Sequence, residues 1–248
     1  MIRSIFFALV LLTLQSSLAI AHQAQEYLPD LVSPEELSEE LGLTAPQSLI
    51  NEEGIEPFGI SNGGFSPLGI DEWSSANGID LTQYFKVVVV VNKSNNGPTA
   101  QRAQVYVEGK LYETYIISTG RETPEKSPSG KSYHSITPLG WFKPLIFSPN
   151  HYSKTWQAPM PWAVFFNGGI ALHATTKAHY PELGKRASGG CVRFKYENAK
   201  TVYGLIKDAG KAMVPKFTQS GKILRDENGE IILEENYDTL IIVENTQK

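Results

Sequence analysis

The chain has 248 residues, of which 41% are apolar, 10% aromatic and 19% charged. This composition can bury a core, and it excludes a wholly disordered chain, a collagen and a protein with several membrane spans. Charge is unevenly distributed: residues 22–85 contain twelve acidic residues and no Lys or Arg, whereas residues 86–222 contain nineteen Lys and Arg against seven acidic residues. We therefore expect an acidic segment followed by a basic domain.

The N-terminus has the pattern of a secretory signal peptide. Arg3 precedes an apolar run at residues 5–12, and residues 19–21 (AIA) are of the small type that signal peptidase recognises. The run is too short for a membrane span, which needs about 20 apolar residues. We predict a signal peptide at residues 1–21 that is cleaved before His22, so that the protein is exported to the periplasm or cell wall and the mature chain has no membrane span. An uncleaved anchor is the alternative.

Residues 22–85 contain little periodic structure. One or two helical turns are predicted at residues 35–41, and residues 59–69 (GISNGGFSPLG) favour turns. We interpret residues 22–85 as a linker or pro-segment that is mostly unpacked. Its negative charge allows two roles, a solvated spacer or a segment that docks over a basic site.

From residue 86 the pattern changes to strands. Five consecutive valines at residues 87–91 predict a strand that is buried on both faces. Turn signals at residues 127–130 (SPSG) and 137–140 (TPLG), and an aromatic stretch at 151–162 interpreted as a loop, interrupt the middle of the domain. Further strands are predicted at residues 103–107, 111–117, 162–166, 170–173, 231–233 and 239–243.

One helix is predicted after the only cysteine, Cys191. Apolar residues recur there at three- and four-residue spacing and end at Gly210; they are Ala199, Val202, Tyr203, Ile206 and Ala209. Many short strands and one clear helix predict a mostly β (α+β) domain at residues 86–248, of β-sandwich or open-barrel type.

The candidate chemistry lies between His173 and Cys191. An exported protein with one unpaired cysteine is unusual, because cysteines in oxidising compartments are generally paired in disulfides. A catalytic thiol needs a nearby base or positive charge to lower its pKa from about 8.5. His173 ends a predicted strand and Cys191 follows a flexible Ser188-Gly189-Gly190 turn, so the loop between them can bring base and thiol together. We expect the thiol to titrate below its ordinary value.

The residues around the cysteine suit acyl transfer. Glycine lets the backbone bend, so the N–H groups of Gly190 and Cys191 can point at one oxyanion. Arg193 lies on the same side as Cys191 if the segment is extended, and it can hold a substrate carboxylate or brace the loop. Ser188 and Gly189 are candidates for substrate contact.

These residues also have other interpretations. Cysteine is commonly a buried core residue, although the polar, glycine-rich neighbours of Cys191 disfavour that here. Zinc can bind His and Cys, but His173, His179 and Cys191 lack the usual ligand spacing and a fourth ligand. We therefore predict no metal and no cofactor.

Two motifs resemble the active-site signature of the YkuD-type L,D-transpeptidases: HATT at residues 173–176 and SGGCVRF at residues 188–194. Upstream, residues 118–120 (STG) and 127–130 (SPSG) resemble the family's STG and TPxG elements. The likeness covers residues 86–217. Gly189 stands where the family often has His, and Ala174 stands where Gly is frequent.

The resemblance implies a reaction on peptidoglycan stem peptides. Cys191 attacks the L,D bond between the third residue and the terminal D-Ala of a tetrapeptide stem, D-Ala leaves, and a thioester remains. His173 serves as base and then as acid, with its ring held by the main-chain carbonyl of Ala174. A second stem accepts the acyl group, which forms a cross-link between third residues. The resemblance also implies that carbapenems acylate this cysteine.

Several alternatives remain open at the level of sequence. Water as acceptor gives an L,D-carboxypeptidase, a free D-amino acid gives exchange, and a protein lysine gives a tether. A cysteine endopeptidase or sortase-like transferase uses the same thiol and histidine, and a non-catalytic wall-binding protein is the third class. The expected partner is the stem peptide, with no nucleic acid, and the protein is expected to be a monomer.

Overall fold

The computed structural model describes residues 70–128, 130 and 132–247. The predicted signal peptide and most of the acidic segment, including residues 35–41, lie outside this part of the chain. The two α-helices are α1 (Ile70–Asn77) and α2 (Tyr196–Ala209), and short 3-10 helices span Leu81–Gln83 and Lys177–Glu182. The strands are β1 (Val87–Asn92), β2 (Arg102–Val107), β3 (Lys110–Ile116), β4 (Pro124–Lys126), β5 (Ser132–His134), β6 (Gly140–Phe142), β7 (Ile146–Ser153), β8 (Ala158–Asn167), β9 (Ile170–Ala174), β10 (Val192–Phe194), β11 (Lys211–Pro215), β12 (Leu233–Tyr237) and β13 (Thr239–Glu244).

The predicted fold class is confirmed, because the domain is built mostly of strands in open sheets with one main helix after Cys191. One sheet has five strands in the order β3-β2-β1-β13-β6, and a second has four in the order β10-β9-β8-β7. Two small two-stranded sheets, β4-β5 and β11-β12, accompany them. No helix in the described residues is long and apolar enough to cross a membrane.

The valine run forms the centre of the five-stranded sheet. β1 pairs in parallel with β13 and antiparallel with β2, and none of its valines is more than 2% exposed. Alternate side chains point to opposite faces of a strand. Val87, Val89 and Val91 therefore enter the main core with residues of the second sheet and α2, whereas Val88 and Val90 enter a second core. The predicted burial on both faces is confirmed.

The start of the domain differs from the prediction. Leu81 is 0% exposed and Phe85 is 1% exposed, and both pack in the second core against Val88 and Val90. The prediction of an unpacked linker up to residue 85 is therefore wrong for residues 81–85. These two apolar side chains follow a long acidic, turn-rich stretch, and the composition of the whole segment masked their contribution.

The segment from residue 151 to 162 is a hairpin of β7 and β8, and its prediction as a loop is wrong. Proline cannot donate to a sheet ladder, so Pro159 and Pro161 would disfavour a central strand. Both prolines pair with β7, at Tyr152 and Asn150. The pairing of β8 with β9 covers only residues 164–167 of β8, so the prolines face no β9 residue that would need their N–H.

The C-terminal part of the prediction is largely confirmed. α2 buries four of the predicted apolar residues and ends at Gly210, which has a φ of 71°. The Asn228-Gly229 turn is present, since Asp226 N–H donates to the Glu230 carbonyl at 2.9 Å. The strand predicted at residues 231–233 begins later, at Leu233, after a single bridge between Ile231 and Arg225.

Candidate active site

Sheet register brings the predicted nucleophile and base to one face of the four-stranded sheet. β9 and β10 are adjacent and parallel, with Arg193 opposite His173. Cys191 lies two residues before Arg193, and residues two apart on an extended chain share a face. On this face the half-buried Cys191 packs beside Ala171 and Phe165. The opposite face, with Leu172 and Val192, belongs to the main core.

The segment after β3 fixes the cysteine loop from the other side. Ser118 and Arg193 exchange backbone hydrogen bonds of 3.0 and 2.8 Å, and the Thr119 carbonyl accepts from Ala187 and Ser188, both at 2.9 Å. Gly120 approaches the next loop very closely, since a Cβ there would lie 2.1 Å from the Ser135 carbonyl oxygen. The sequence STG at residues 118–120 is therefore a tight backbone support for the loop that carries Cys191.

His173 is a buried neutral base in this arrangement. Its side chain is 5% exposed, and its Nδ1 lies 2.7 Å from the Ala174 carbonyl oxygen. That carbonyl can only accept, so Nδ1 carries the proton and Nε2 is the basic nitrogen. The pKa of His173 is lowered to about 3, mainly by burial; the Ala174 hydrogen bond opposes this shift, and Arg193 and His151 add to it. The catalytic role of this pair stays a prediction.

The thiol of Cys191 lies near an acceptor. Its Sγ is 3.6 Å from the Gly169 carbonyl oxygen, and a carbonyl accepts from S–H but repels a thiolate. Burial of His173 likewise disfavours an imidazolium at rest, whereas the nearby positive charge of Arg193 favours a thiolate. We therefore expect a neutral thiol–imidazole pair whose proton moves during attack, in place of the resting thiolate that the sequence suggested.

The turn before the cysteine differs from its predicted role in two respects. The Gly190 N–H donates to Ser188 Oγ at 3.0 Å, so it is used inside the turn and is not directed at an oxyanion. Ser188 is 0% exposed, and its hydroxyl donates to the Cys191 carbonyl at 2.5 Å. Ser188 is thus a brace of the turn, and its contact with substrate stays a prediction. Since Gly190 has a φ of 137° and its Cβ would lie 3.0 Å from the Ile136 carbonyl oxygen, only glycine suits this position.

Arg193 holds a positive charge beside the cysteine. Its Nη1 lies 3.4 Å from a carboxylate oxygen of Glu182 and 3.4 Å from the Ala187 carbonyl oxygen. Burial lowers the pKa of Arg193, and negative charge on the Cys191 sulfur, when the thiol ionises, and on Glu182 opposes that shift. Both contacts are long for charged hydrogen bonds, so the guanidinium is loosely held and can exchange a partner for a substrate carboxylate.

Two aromatic side chains cover Gly189. A Cβ at Gly189 would lie 3.5 Å from the Tyr133 hydroxyl and 3.8 Å from the Trp156 ring, and these two rings contact each other edge to face with centroids 5.1 Å apart. The Tyr133 hydroxyl donates to Glu125 at 2.7 Å, and Arg121 holds the pKa of the Glu125 carboxyl well below its usual range. A β-carbon fits at residue 189, but a larger side chain there would displace the aromatic pair.

Two buried residues at the site were missed by the sequence analysis. His151 is 5% exposed in β7, and its ring packs edge to face on Phe165 with centroids 5.0 Å apart. Thr137 belongs to the TPLG segment, which was interpreted only as a turn, but its Oγ1 lies 2.6 Å from the Gly190 carbonyl oxygen. The segment at residues 127–130, to which the TPxG likeness was assigned, connects β4 and β5. The sequence TPLG at residues 137–140 also fits the TPxG pattern, and it was the signal that could have identified Thr137 as a site residue.

His179, one of the zinc ligands considered, pairs with Glu182, the residue that also contacts Arg193. It is 48% exposed, and its Nδ1 pairs with Glu182 at 2.9 Å. The described residues contain no group of three or more His, Cys, Asp or Glu that can hold a metal ion.

Comparison with known proteins identifies the class to which this fold and site belong. The family model of the YkuD L,D-transpeptidase catalytic domain matches residues 86–218, which is more than half of the chain. The chain therefore belongs to the YkuD L,D-transpeptidase catalytic domain family. No curated protein matches it.

Several solved structures of L,D-transpeptidases are similar to this chain. That of Xylanimonas cellulosilytica DSM 15894 is 18% identical with a TM-score of 0.44, and the match covers 65% of this chain and 61% of that one. The protein of Mycobacterium smegmatis is 18% identical with a TM-score of 0.41, over 64% and 59% of the two chains. That of Stackebrandtia nassauensis is 20% identical with a TM-score of 0.40, over 65% and 57%. The match thus spans about three fifths of the length of each solved chain.

Proposed function

We propose that this protein is an exported peptidoglycan L,D-transpeptidase that uses Cys191 as its nucleophile and forms cross-links between the third residues of stem peptides. The observation that carries the proposal is the register of β9 and β10, in which Arg193 lies opposite His173, together with the packing of Cys191 against the cluster that contains Ala171 of β9. Membership of the YkuD family supplies the reaction class, an acyl transfer. The thiol and imidazole supply the nucleophile and base that acyl transfer needs.

The first half-reaction forms a thioester. Nε2 of His173 takes the thiol proton as the sulfur attacks the carbonyl of the L,D bond next to D-Ala, and a tetrahedral oxyanion forms. The Ala174 carbonyl keeps Nδ1 protonated and stabilises the imidazolium in this step. The C–N bond then breaks, His173 returns the proton to the departing amine, and D-Ala leaves.

The second half-reaction transfers the acyl group. An amine of a second stem attacks the thioester, His173 accepts a proton from that amine, and the proton returns to the sulfur as the C–S bond breaks. The thioester conserves the energy of the original peptide bond, so the transfer uses no ATP, which suits a protein outside the cytoplasm. We place the protein in the periplasm or cell wall on the strength of residues 1–21.

Incubation of the mature protein with purified tetrapeptide muropeptides, followed by mass analysis, tests this proposal. We expect release of D-Ala and a dimer whose mass is the sum of two stems less one D-Ala. A tripeptide product alone assigns water as acceptor, and incorporation of an added D-amino acid assigns exchange. Unchanged muropeptides would contradict the proposal and favour a protein substrate or a wall-binding role.

Arg193 is expected to recognise a carboxylate of the stem peptide. A planar guanidinium grips a carboxylate with two hydrogen bonds, which an ammonium group does not reproduce. We expect Arg193→Lys to lower kcat/KM by about 10- to 150-fold, the equivalent of about 1.5 to 3 kcal/mol for a charged hydrogen bond. Steady-state kinetics on muropeptides and the Tm of each variant are the measurements.

A structural arginine provides the control for this prediction. Arg186 donates from Nε to the Lys93 carbonyl at 2.8 Å and pairs with Glu122 at 2.7 Å. Arg186→Lys should lower Tm, and it should lower kcat/KM by a smaller factor than Arg193→Lys does. If Arg193→Lys behaves in the same way, Arg193 is a brace of the loop through Glu182 and Ala187, and its assignment to the substrate is wrong.

A further inference from the structure

We infer that Thr137 is a positioning residue for the oxyanion site: its hydroxyl holds the Gly190–Cys191 peptide so that the Cys191 N–H faces the reacting carbonyl. The inference rests on the proposed function, because an oxyanion forms only if Cys191 is acylated. It assigns a role to a residue 54 positions before the nucleophile in the chain.

The direction of the Thr137 hydrogen bond is fixed by its second partner. Thr137 is 0% exposed, and its Oγ1 accepts from the Gly120 N–H at 2.9 Å. A hydroxyl has a single proton to donate. The Gly190 carbonyl can only accept, so at 2.6 Å it receives that proton. The Gly190 carbonyl is therefore held on the side of Thr137.

Peptide geometry transmits this constraint to Cys191. A trans peptide is planar, and its C=O and N–H point in opposite directions. With the Gly190 carbonyl held by Thr137, the Cys191 N–H points away from Thr137. The preceding amide cannot replace it, because the Gly190 N–H donates to Ser188 Oγ. The Cys191 N–H is thus the amide of this turn that the structure directs to the side opposite Thr137.

A buried ionic group supports Thr137 from behind. Lys93 donates from Nζ to the Thr137 carbonyl at 2.8 Å and pairs with Glu122 at 2.5 Å. Lys93 is itself buried, and Arg186 shares the Glu122 carboxylate. Because a buried ion pair is costly to break once formed, the loop that carries Thr137 has little freedom to move. The hydroxyl therefore has the rigidity that a preorganised oxyanion site requires.

Two reactions of the same thiol differ in whether they form an oxyanion. Acylation by a carbapenem passes through an oxyanion as the sulfur adds to the β-lactam carbonyl, the ring C–N bond breaks and the nitrogen takes a proton. Alkylation by iodoacetamide displaces iodide at a saturated carbon and forms no oxyanion. A residue that positions an oxyanion donor affects the first reaction and spares the second. A residue that only supports the loop affects both or neither.

The experiment measures both rates by intact mass in the wild type and in Thr137→Val and Thr137→Ser. Loss of an oxyanion donor typically costs about 10²- to 10³-fold, so we expect Thr137→Val to slow acylation by about 10²-fold. Its alkylation rate should stay within about threefold of wild type. Thr137→Ser keeps the hydroxyl and should restore acylation to within about fivefold of wild type. Thr119→Val removes a neighbouring buried hydroxyl that bonds to Gln101, and should leave the ratio of the two rates unchanged.

Three results would overturn the inference. Equal acylation of Thr137→Val and wild type would show that the hydroxyl is not needed, and a parallel fall in both rates would show a support role only. If Thr137→Val fails to fold, as judged by its thermal transition, Thr137→Ala replaces it and the same two rates decide. A wild type that is alkylated on Cys191 but never acylated would overturn the proposed function together with this inference.

Discussion

Replacement of Cys191 with serine is expected to abolish acyl transfer. A serine hydroxyl is far less acidic than a thiol. Because burial makes the His173 imidazole a weak base, we expect it to be unable to remove the hydroxyl proton. We expect turnover of tetrapeptide muropeptides to fall by at least about 10⁴-fold, as is typical for loss of a catalytic nucleophile. Mass spectrometry should also find a carbapenem adduct on the peptide that contains Cys191 in the wild type, and none in the variant.

The fold should tolerate this substitution. A hydroxyl can donate to the same Gly169 carbonyl that accepts from Sγ. Because Cys191 is the only cysteine of the chain, thiol labelling of the wild type reports on this one position. The variant Cys191→Ser should show no thiol labelling and so provides the control. Muropeptide turnover that persists in Cys191→Ser with an unchanged Tm would remove the cysteine from the mechanism.

Replacement of His173 with glutamine is expected to lower the rate of acylation by about 10²- to 10⁴-fold, the usual contribution of general acid–base catalysis. The glutamine amide can still donate to the Ala174 carbonyl, so the strand end keeps its hydrogen bond. Acylation by a carbapenem, followed across pH, is the measurement. Above about pH 9.5 the thiol ionises without a base, so iodoacetamide should then alkylate variant and wild type at similar rates.

The same substitution has a signature in folding stability. The pKa of His173 is lowered to about 3 in the folded protein from its ordinary value near 6.5. Between these values the unfolded chain binds more protons than the folded one, so the free energy of unfolding falls as pH falls through this window. Above pH 6.5 the contribution is zero. The total loss is a few kcal/mol at most, since one pKa unit corresponds to about 1.4 kcal/mol.

Denaturant unfolding between pH 3.5 and 7.5 measures this effect. We expect His173→Gln to flatten the fall in stability on the acid side of pH 6.5, because the titrating group is gone. His179→Gln removes an exposed histidine that pairs with Glu182, and serves as the matched control. Identical acid profiles for the wild type and His173→Gln would show that His173 is not buried as a neutral base.

The sequence predicted the parts of the fold that depend on local pattern. The valine run of β1 is buried on both faces, and the spacing of apolar residues in α2 defined the face that it buries. The hairpin of β7 and β8 contains Pro159 and Pro161, which disfavour a strand in general, and only the pairing shows that β9 does not extend to them. The packed residues 81–85 were missed because the long acidic stretch before them dominated the composition, and because their core also includes Leu240 and Ile242 of the distant strand β13.

The candidate site likewise has parts that the sequence predicted and parts that required the structure. His173, Cys191 and Arg193 are recognisable as a motif, because their chemistry is carried by residue type and order in the chain. The tasks of Ser188 and Gly190 depend on which way each N–H and hydroxyl points, and backbone direction in a turn is not encoded in residue type. Thr137 contacts Gly190 across 53 residues, so its role required the folded chain.

Trapping the acyl-enzyme tests the central claim most directly. Wild-type protein is mixed briefly with a tetrapeptide muropeptide, quenched in acid, and analysed by intact mass and peptide mapping, with Cys191→Ser in parallel. We predict an added mass equal to the muropeptide less D-Ala, attached to Cys191, labile to hydroxylamine as a thioester and absent from the variant. Release of D-Ala with no adduct on Cys191 at any mixing time, or an adduct on another residue, would contradict it.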